Sequence, residues 1–294
     1  MAKDKKSRPD LKKILVILLI AAAFILMSYP FISNWIFEHT AGSVVASLNE
    51  AASGENKENA VEMERQAEAA RYYNSQLASV RVQLSDPFNE EIIEGEDGEY
   101  SSLLNMTDTG IMGYIEIPVI DVSLPIYHGT GADVLEQGVG HLEGTSLPVG
   151  GESSHCVLTG HTGLSSARMF TDLTELEEGD IFLLHVMGEQ LAYEVDQIKV
   201  VEPTDLDDLY IEKGKDLCTL VTCTPYGINS HRLLVRGERT DYEEAAKEAE
   251  AAPVKTECSS WLREYKQALF ISFSGFAVGL SILLVIRYIK GKRR

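Results

Sequence analysis

Two long apolar runs bracket this chain, with a polar and then a β-rich stretch between them. Ile14 to Phe37 is 24 residues without an ionisable side chain, and Ala268 to Ile286 is 19. As helices, both are long enough to cross about 30 Å of hydrocarbon. Asn49 to Asn59 is polar, with no apolar period. From about Asn56 to Leu84 the pattern turns helical: Tyr73, Leu77, Val80 and Leu84 recur at spacings of four, three and four, which places them on one face. Asp86-Pro87 ends that helix, because a residue before proline avoids the helical region. Asp86 to Tyr100 is acidic, contains glycine, and reads as an exposed loop.

From Gly110 onward the pattern becomes short β-branched runs cut by glycine and proline. The predicted strands are Met112 to Ile117, Val122 to Tyr127, Cys156 to Gly160, Ile181 to Val186, Leu191 to Glu194, Gln197 to Val201, Cys218 to Thr222 and Leu233 to Glu238. Short, evenly spaced strands predict a mainly β barrel or sandwich. Asp241 to Ala252 is rich in Ala and Glu and reads as a helical or flexible stalk. There is no internal repeat.

Composition adds little: hydrophobic residues at 45% and charged ones at 24% describe an ordinary globular chain. Four cysteines in 294 residues are too few for a disulfide scaffold. The net charge of −19 excludes a nucleic-acid binder, which would need clustered Lys and Arg. The position of the charge says more than its sum. The first 13 residues hold six basic groups against two acids, the last eight hold five and none, and the middle carries −28. Basic ends outside two apolar runs place both termini in the cytoplasm and the acidic middle outside the cell, a two-pass plasma-membrane topology. A cleaved signal peptide is the competing reading of the first run, but that run is long for one and Ala41 to Ala46 is only weakly cleavage-like.

The chemistry narrows by elimination. No cysteine pair has zinc-ligand spacing, and neither a phosphate loop nor a Gly-x-Ser-x-Gly elbow is present. Cys223 stands out, at the end of an apolar strand just before a loop containing Pro225, Gly227 and Asn229. Arg232 opens the next strand; in a hairpin it would lie about 5 Å from Cys223, favouring the thiolate and an oxyanion. A cysteine nucleophile needs a proton partner. Among His39, His128, His141, His155, His161, His185 and His231, the choice falls on His161, at another strand end between Gly160 and Gly163. A turn-capping histidine and a buried apolar thiol are the plain alternatives. Cys156 and Cys218 fit the buried thiol, and Cys258 lies beside the second apolar run. Glu175, Glu177, Glu178 and Asp180 read as a solvated acidic loop rather than a calcium site.

Thr219-Leu220-Val221-Thr222-Cys223 resembles the Thr-Leu-x-Thr-Cys signature of sortases, the membrane-bound cysteine transpeptidases of Gram-positive bacteria. Leu158-Thr159-Gly160-His161 resembles the segment carrying the sortase histidine, and Arg232 falls at the place of its arginine. The likeness runs from about Asp86 to Glu238, including Met112 to Pro118 and Gly140 to Ser146. It implies a closed β-barrel of about eight strands, catalysis by Cys223, His161 and Arg232, a substrate contact at Thr222, and no cofactor or metal. The second apolar run and Asp86-Pro87-Phe88 resemble the class C, pilus-assembling branch, whose lid carries Asp-Pro-aromatic, with Phe here where some members have Trp. Otherwise this tripeptide is only a helix stop with an aromatic staple.

The resemblance divides the chain into a basic tail (1–13), a span (14–37), a helical segment (38–85), a lid (86–100), a catalytic barrel (101–240), an acidic stalk (241–267), a second span (268–289) and a basic tail (290–294). The implied partners are the membrane, surface proteins with Leu-Pro-x-Thr-Gly-like sorting signals, and a lysine-bearing pilin as acceptor. A cell-wall-anchoring sortase, a hydrolytic thiol protease and a non-enzymatic tethered adhesin are the alternatives.

Overall fold

The computed structural model describes residues 11–53, 57–80, 82–89, 98–105, 110–164, 167–255 and 265–276. The expectations for most of both basic tails, for lid residues 90–97, for Cys258 and for the second apolar run past 276 lie outside these residues. Eight strands close into one barrel: β1 (Ile111–Ile117), β2 (Val122–His128), β3 (Val139–His141), β4 (Ser154–Thr159), β5 (Ile181–Val186), β6 (Glu189–Val201), β7 (Asp216–Thr224) and β8 (His231–Thr240). Their order around it is β1-β2-β3-β4-β7-β8-β6-β5. β2–β3 and β4–β7 pair in parallel and the other neighbours antiparallel.

The eight strands are not the eight predicted. Leu191 to Glu194 and Gln197 to Val201 belong to one strand, β6, whose register against β8 shifts between Val195 and Gln197. The polar interruption is a β-bulge, not a turn. The bulged Asp196 is held by Arg236 through two bonds of 3.0 and 2.6 Å. The missing strand is β3. Only three residues long, it approaches its neighbours so closely that a Cβ on Gly140 would lie 2.4 Å from the Gly129 carbonyl oxygen.

β7 is buried from Leu217 to Cys223 without alternation, because both of its faces are covered. Inside lies the barrel core, where the stacked rings of Phe182 and Tyr193 sit 5.5 Å apart. Gly237 of β8 makes room for them, since a Cβ there would meet the Phe182 ring at 2.7 Å. Outside, Leu142, Val157, Val221 and Leu234 form a second apolar cluster with Leu84 and Leu209. Cys156 and Cys218 are buried free thiols, directly opposite one another on β4 and β7.

Among the described residues the helices include α1 (Leu11–Ser53), α2 (Lys57–Leu77), α3 (Gly98–Ser102), α4 (Ala132–Leu135) and α5 (Tyr242–Ala251), and residues 265–276 are helical as well. α1 continues into the polar stretch that lacks an apolar period, as far as Ser53, and α2 begins at Lys57. α2 stops at Leu77, well short of the expected Asp86, and turns away through Ala78 to Ser79, where the Ser79 hydroxyl donates to the Gln76 carbonyl. Its buried face is Met63, Gln66, Ala67, Ala70 and Asn74; the predicted Val80 is 62% exposed. Asn74 explains the choice. Its amide bonds both the Leu147 carbonyl (3.0 Å) and the Leu147 N–H (2.7 Å), while Gln66 accepts from the Leu104 N–H at 3.0 Å. The helix face is selected by loop backbone that must find partners.

α5 is not a free stalk. Asp241 caps it by accepting from the Glu244 N–H, and Ala245 and Ala249 pack on Ile181, Leu183 and Ala192 of the β5–β6 hairpin. Beyond it the Lys255 ammonium donates to Glu177 (3.2 Å) and Asp180 (3.0 Å), so a lysine occupies the acidic loop. The first apolar run lies within α1, and the side chain of Tyr265, just before the second run, packs edge-on against Phe31 at 4.8 Å. Among the described residues no helix is long and apolar enough to cross a membrane; several α1 side chains near its start lie outside that set.

Candidate active site

Three neighbouring strands end at the same rim. β7 and β8 pair Cys223 with Arg232 directly, and the turn between them contains a cis Thr224–Pro225 bond. β4 runs parallel to β7 with Thr159 opposite Val221. The ladder continues one step further: the Gly160 N–H donates to the Val221 carbonyl at 3.1 Å, and the Thr222 hydroxyl donates to the Gly160 carbonyl at 2.7 Å. Carried on by one residue, this register sets His161 level with Cys223. Cys223 and Arg232 face each other across the β7–β8 hairpin, and His161, from a strand distant in sequence, reaches the same rim because β4 pairs with β7 in the barrel.

Thr222 departs from expectation. It is 1% exposed, and its hydroxyl is spent on the Gly160 carbonyl. Successive strand residues face opposite ways, so Thr222 turns away from the side that Cys223 presents. That bond to the Gly160 carbonyl holds the backbone just before His161.

The segment Asp86-Pro87-Phe88 lies across this rim. Asp86 holds Arg232 with a bidentate ion pair, Nε to Oδ1 at 2.8 Å and Nη2 to Oδ2 at 2.6 Å. The remaining guanidinium nitrogen donates to the Asn229 and His231 carbonyls. The Phe88 ring lies 5.0 Å from the Arg232 Cζ and 5.7 Å from the His161 ring, tilted by 41°. One aromatic ring thus covers both the cation and the imidazole. Leu84 anchors the segment in the apolar cluster over β4, β7 and β8.

The electrostatics follow from this cover. Burial raises the Cys223 thiol above its ordinary value; Arg232 opposes that, and Asp86 adds to it. Burial lowers His161, against the pull of Glu136. With Asp86 and Phe88 in place, the neutral thiol and neutral imidazole are favoured. Other histidines are engaged elsewhere. His141 bonds Tyr100 and the Ser146 carbonyl. His155, pushed down to about 4 by burial, bonds the Tyr210 carbonyl and the Thr219 hydroxyl. His185 pairs with Glu116.

A cleft of about 640 Å³ opens beside this cover, with His161 in its wall. Leu84 and Glu136 escaped sequence reading as parts of the site. Leu84 was assigned to a helix face, and nothing in the pattern around Glu136 sets it apart from other surface acids.

A family model described as the sortase domain matches residues 115–240. Sortase D of Bacillus subtilis (strain 168) is 35% identical over 130 residues, 43% of this chain and 63% of that protein, so the match spans just under two thirds of this curated relative. The crystal structure of sortase C-1 from Actinomyces oris is 49% identical with a TM-score of 0.58, covering 61% of this chain and 99% of that one. A Streptococcus pneumoniae sortase C structure, reported for its pilin substrate specificity, is 42% identical with a TM-score of 0.60, covering 68% and 97%. On the barrel, the rim and these likenesses together, the chain belongs to the sortase family of cysteine transpeptidases.

Proposed function

We propose that this chain is a membrane-tethered, pilin-polymerising sortase. The observation that carries the reading is the convergence of Cys223, His161 and Arg232 on one barrel rim beneath Asp86 and Phe88. Likeness to sortase C structures at 42% and 49% identity supports the pilin-assembling branch. The tether rests on the sequence: two apolar runs, each flanked outward by basic residues.

Catalysis begins when Asp86 and Phe88 leave the rim. Water then reaches the thiol and Arg232 loses its counter-ion, and both changes favour the Cys223 thiolate. The thiolate attacks the carbonyl between Thr and Gly of a Leu-Pro-x-Thr-Gly-like sorting signal. Arg232 donates to the developing oxyanion, and His161, as imidazolium, protonates the leaving glycine amine. The thioester on Cys223 is resolved by a lysine amine of a second pilin, giving an isopeptide bond. No metal or organic cofactor takes part in these steps.

In a host making the pilin, Cys223→Ala is expected to abolish the high-mass pilin ladder. A ladder that survives the substitution would overturn the mechanism. Monomers released with a free C-terminal threonine would indicate a hydrolase instead, and monomers joined to cell wall an anchoring enzyme.

A further inference from the structure

The helix that carries the first apolar run also grips the histidine side of the site. On α1, Asn34, Phe37, Ala41, Val45 and Asn49 recur at spacings of three and four and so share one face. That face lies on the barrel. Phe37 packs against the core, Ala41 and Val45 are buried, and the Asn49 side-chain oxygen accepts from the Tyr114 hydroxyl at 2.8 Å. At the other end of the face, Asn34 Oδ1 accepts from the Arg168 N–H at 2.8 Å. Arg168 opens a turn whose Thr171 N–H donates to the Arg168 carbonyl at 2.9 Å. The Arg168 guanidinium closes it through two bonds to one Asp172 oxygen, at 3.1 and 2.5 Å. From this turn the Phe170 N–H donates to the His161 carbonyl at 3.1 Å, and Thr171 Oγ1 accepts from the Gly163 N–H at 3.1 Å. The Phe170 ring lies so close over Gly160 that a Cβ there would meet it at 2.7 Å.

Resting on the transpeptidase reading above, we propose that Asn34 is a positioning residue for His161, so that α1 as well as the barrel sets where the imidazole stands. β4 ends at Thr159, which leaves His161 beyond the strand. Its carbonyl is held by the turn at Arg168, and Asn34 in turn holds that turn by its first N–H. Without the Asn34 oxygen this N–H must find another partner, and the turn shifts to supply one. The shift passes through Phe170 to the His161 backbone. His161 has to deliver a proton to the leaving amine across a hydrogen-bond distance, so a small displacement is felt in that step. Cys223 and Arg232 are placed by the β7–β8 hairpin instead. Losing the Asn34 contact therefore weakens the proton donor while leaving the nucleophile and the oxyanion donor in place.

The test sets a substrate that needs the His161 proton against one that does not. The full-length enzyme in detergent is given a sorting-signal peptide with its Thr–Gly amide, or the same peptide with mercaptoacetate in place of the glycine. The second is joined through a thioester, whose thiolate leaves unprotonated. Acylation of Cys223 by each is timed by intact-mass spectrometry. Asn34→Leu fills similar space without an acceptor, and is expected to lower the amide-to-thioester rate ratio about tenfold, part of what a general acid supplies. Asn34→Asp keeps the acceptor oxygen and should hold the ratio within about twofold of wild type. A mere loss of fold would lower both rates together and leave the ratio where it was. A ratio in Asn34→Leu within about twofold of wild type, or an equal fall in both variants, overturns the positioning role and leaves the transpeptidase intact. Absence of amide acylation at wild-type Cys223 overturns the transpeptidase reading, and the positioning role with it.

Discussion

At Cys223, burial and Asp86 favour the thiol while Arg232 favours the thiolate. Asp86→Asn keeps the shape of the side chain and removes its charge, so Arg232 is opposed by burial alone. The pH midpoint for alkylation of Cys223 is expected to move down, and the rate at neutral pH to rise. An unchanged midpoint would show that the ion pair leaves the thiol untouched. Residue type alone singles out Cys223, His161 and Arg232: a cysteine at a strand end, a glycine-flanked histidine and an arginine opening the next strand. Thr222 is singled out only by its place in the motif, and its hydroxyl is turned toward the Gly160 carbonyl.

Among the elements, strands were read better than helices, since a barrel strand announces itself by composition. β6 was split in two because a bulge and a turn both break the alternation. β3 escaped because three residues beside glycines have no period to detect. The α2 face is legible only in part. Tyr73 packs against the core as its spacing predicts, but the helix also buries Asn74 and Gln66, which serve backbone groups in loops far along the sequence. Asn74→Ala would strand both Leu147 groups in a buried place, costing about 2–3 kcal/mol in urea unfolding; a loss below about 0.5 kcal/mol would refute that role.

The β4–β7 pair also carries a pH signature. His155 falls from its ordinary 6.5 to about 4 through burial. Between those values the unfolded chain binds the proton and the folded chain does not, so stability falls as pH drops through that window. The full effect is about 3 kcal/mol. In His155→Gln, stability should decline less between pH 6.5 and 4 than in wild type; an identical decline would assign it to other groups.

For the molecule as a whole, the sequence separates an acidic middle from two basic, apolar ends, and the barrel occupies that middle. Closure brings β4, β7 and β8 side by side, which is why His161 shares a rim with Cys223 and Arg232. The Cys223–Arg232 pairing is a hairpin that the sequence itself offers, whereas the β4–β7 adjacency is invisible in periodicity and only family resemblance points to it. The docking of α5 and Lys255 on the barrel was equally hidden, because alanines at helical spacing look the same on a free helix as on a packed one.

In the proposed mechanism the rim forms an acyl-enzyme through Cys223 and hands the acyl group to an amine. Intact-mass and peptide-level mass spectrometry of the enzyme, incubated with a Leu-Pro-x-Thr-Gly peptide, reads both steps. The expected result is an adduct ending at the threonine, carried by the peptide containing Cys223, absent in Cys223→Ala and discharged when a lysine acceptor is added. An adduct that persists in Cys223→Ala, or a peptide cut at another bond, would contradict it.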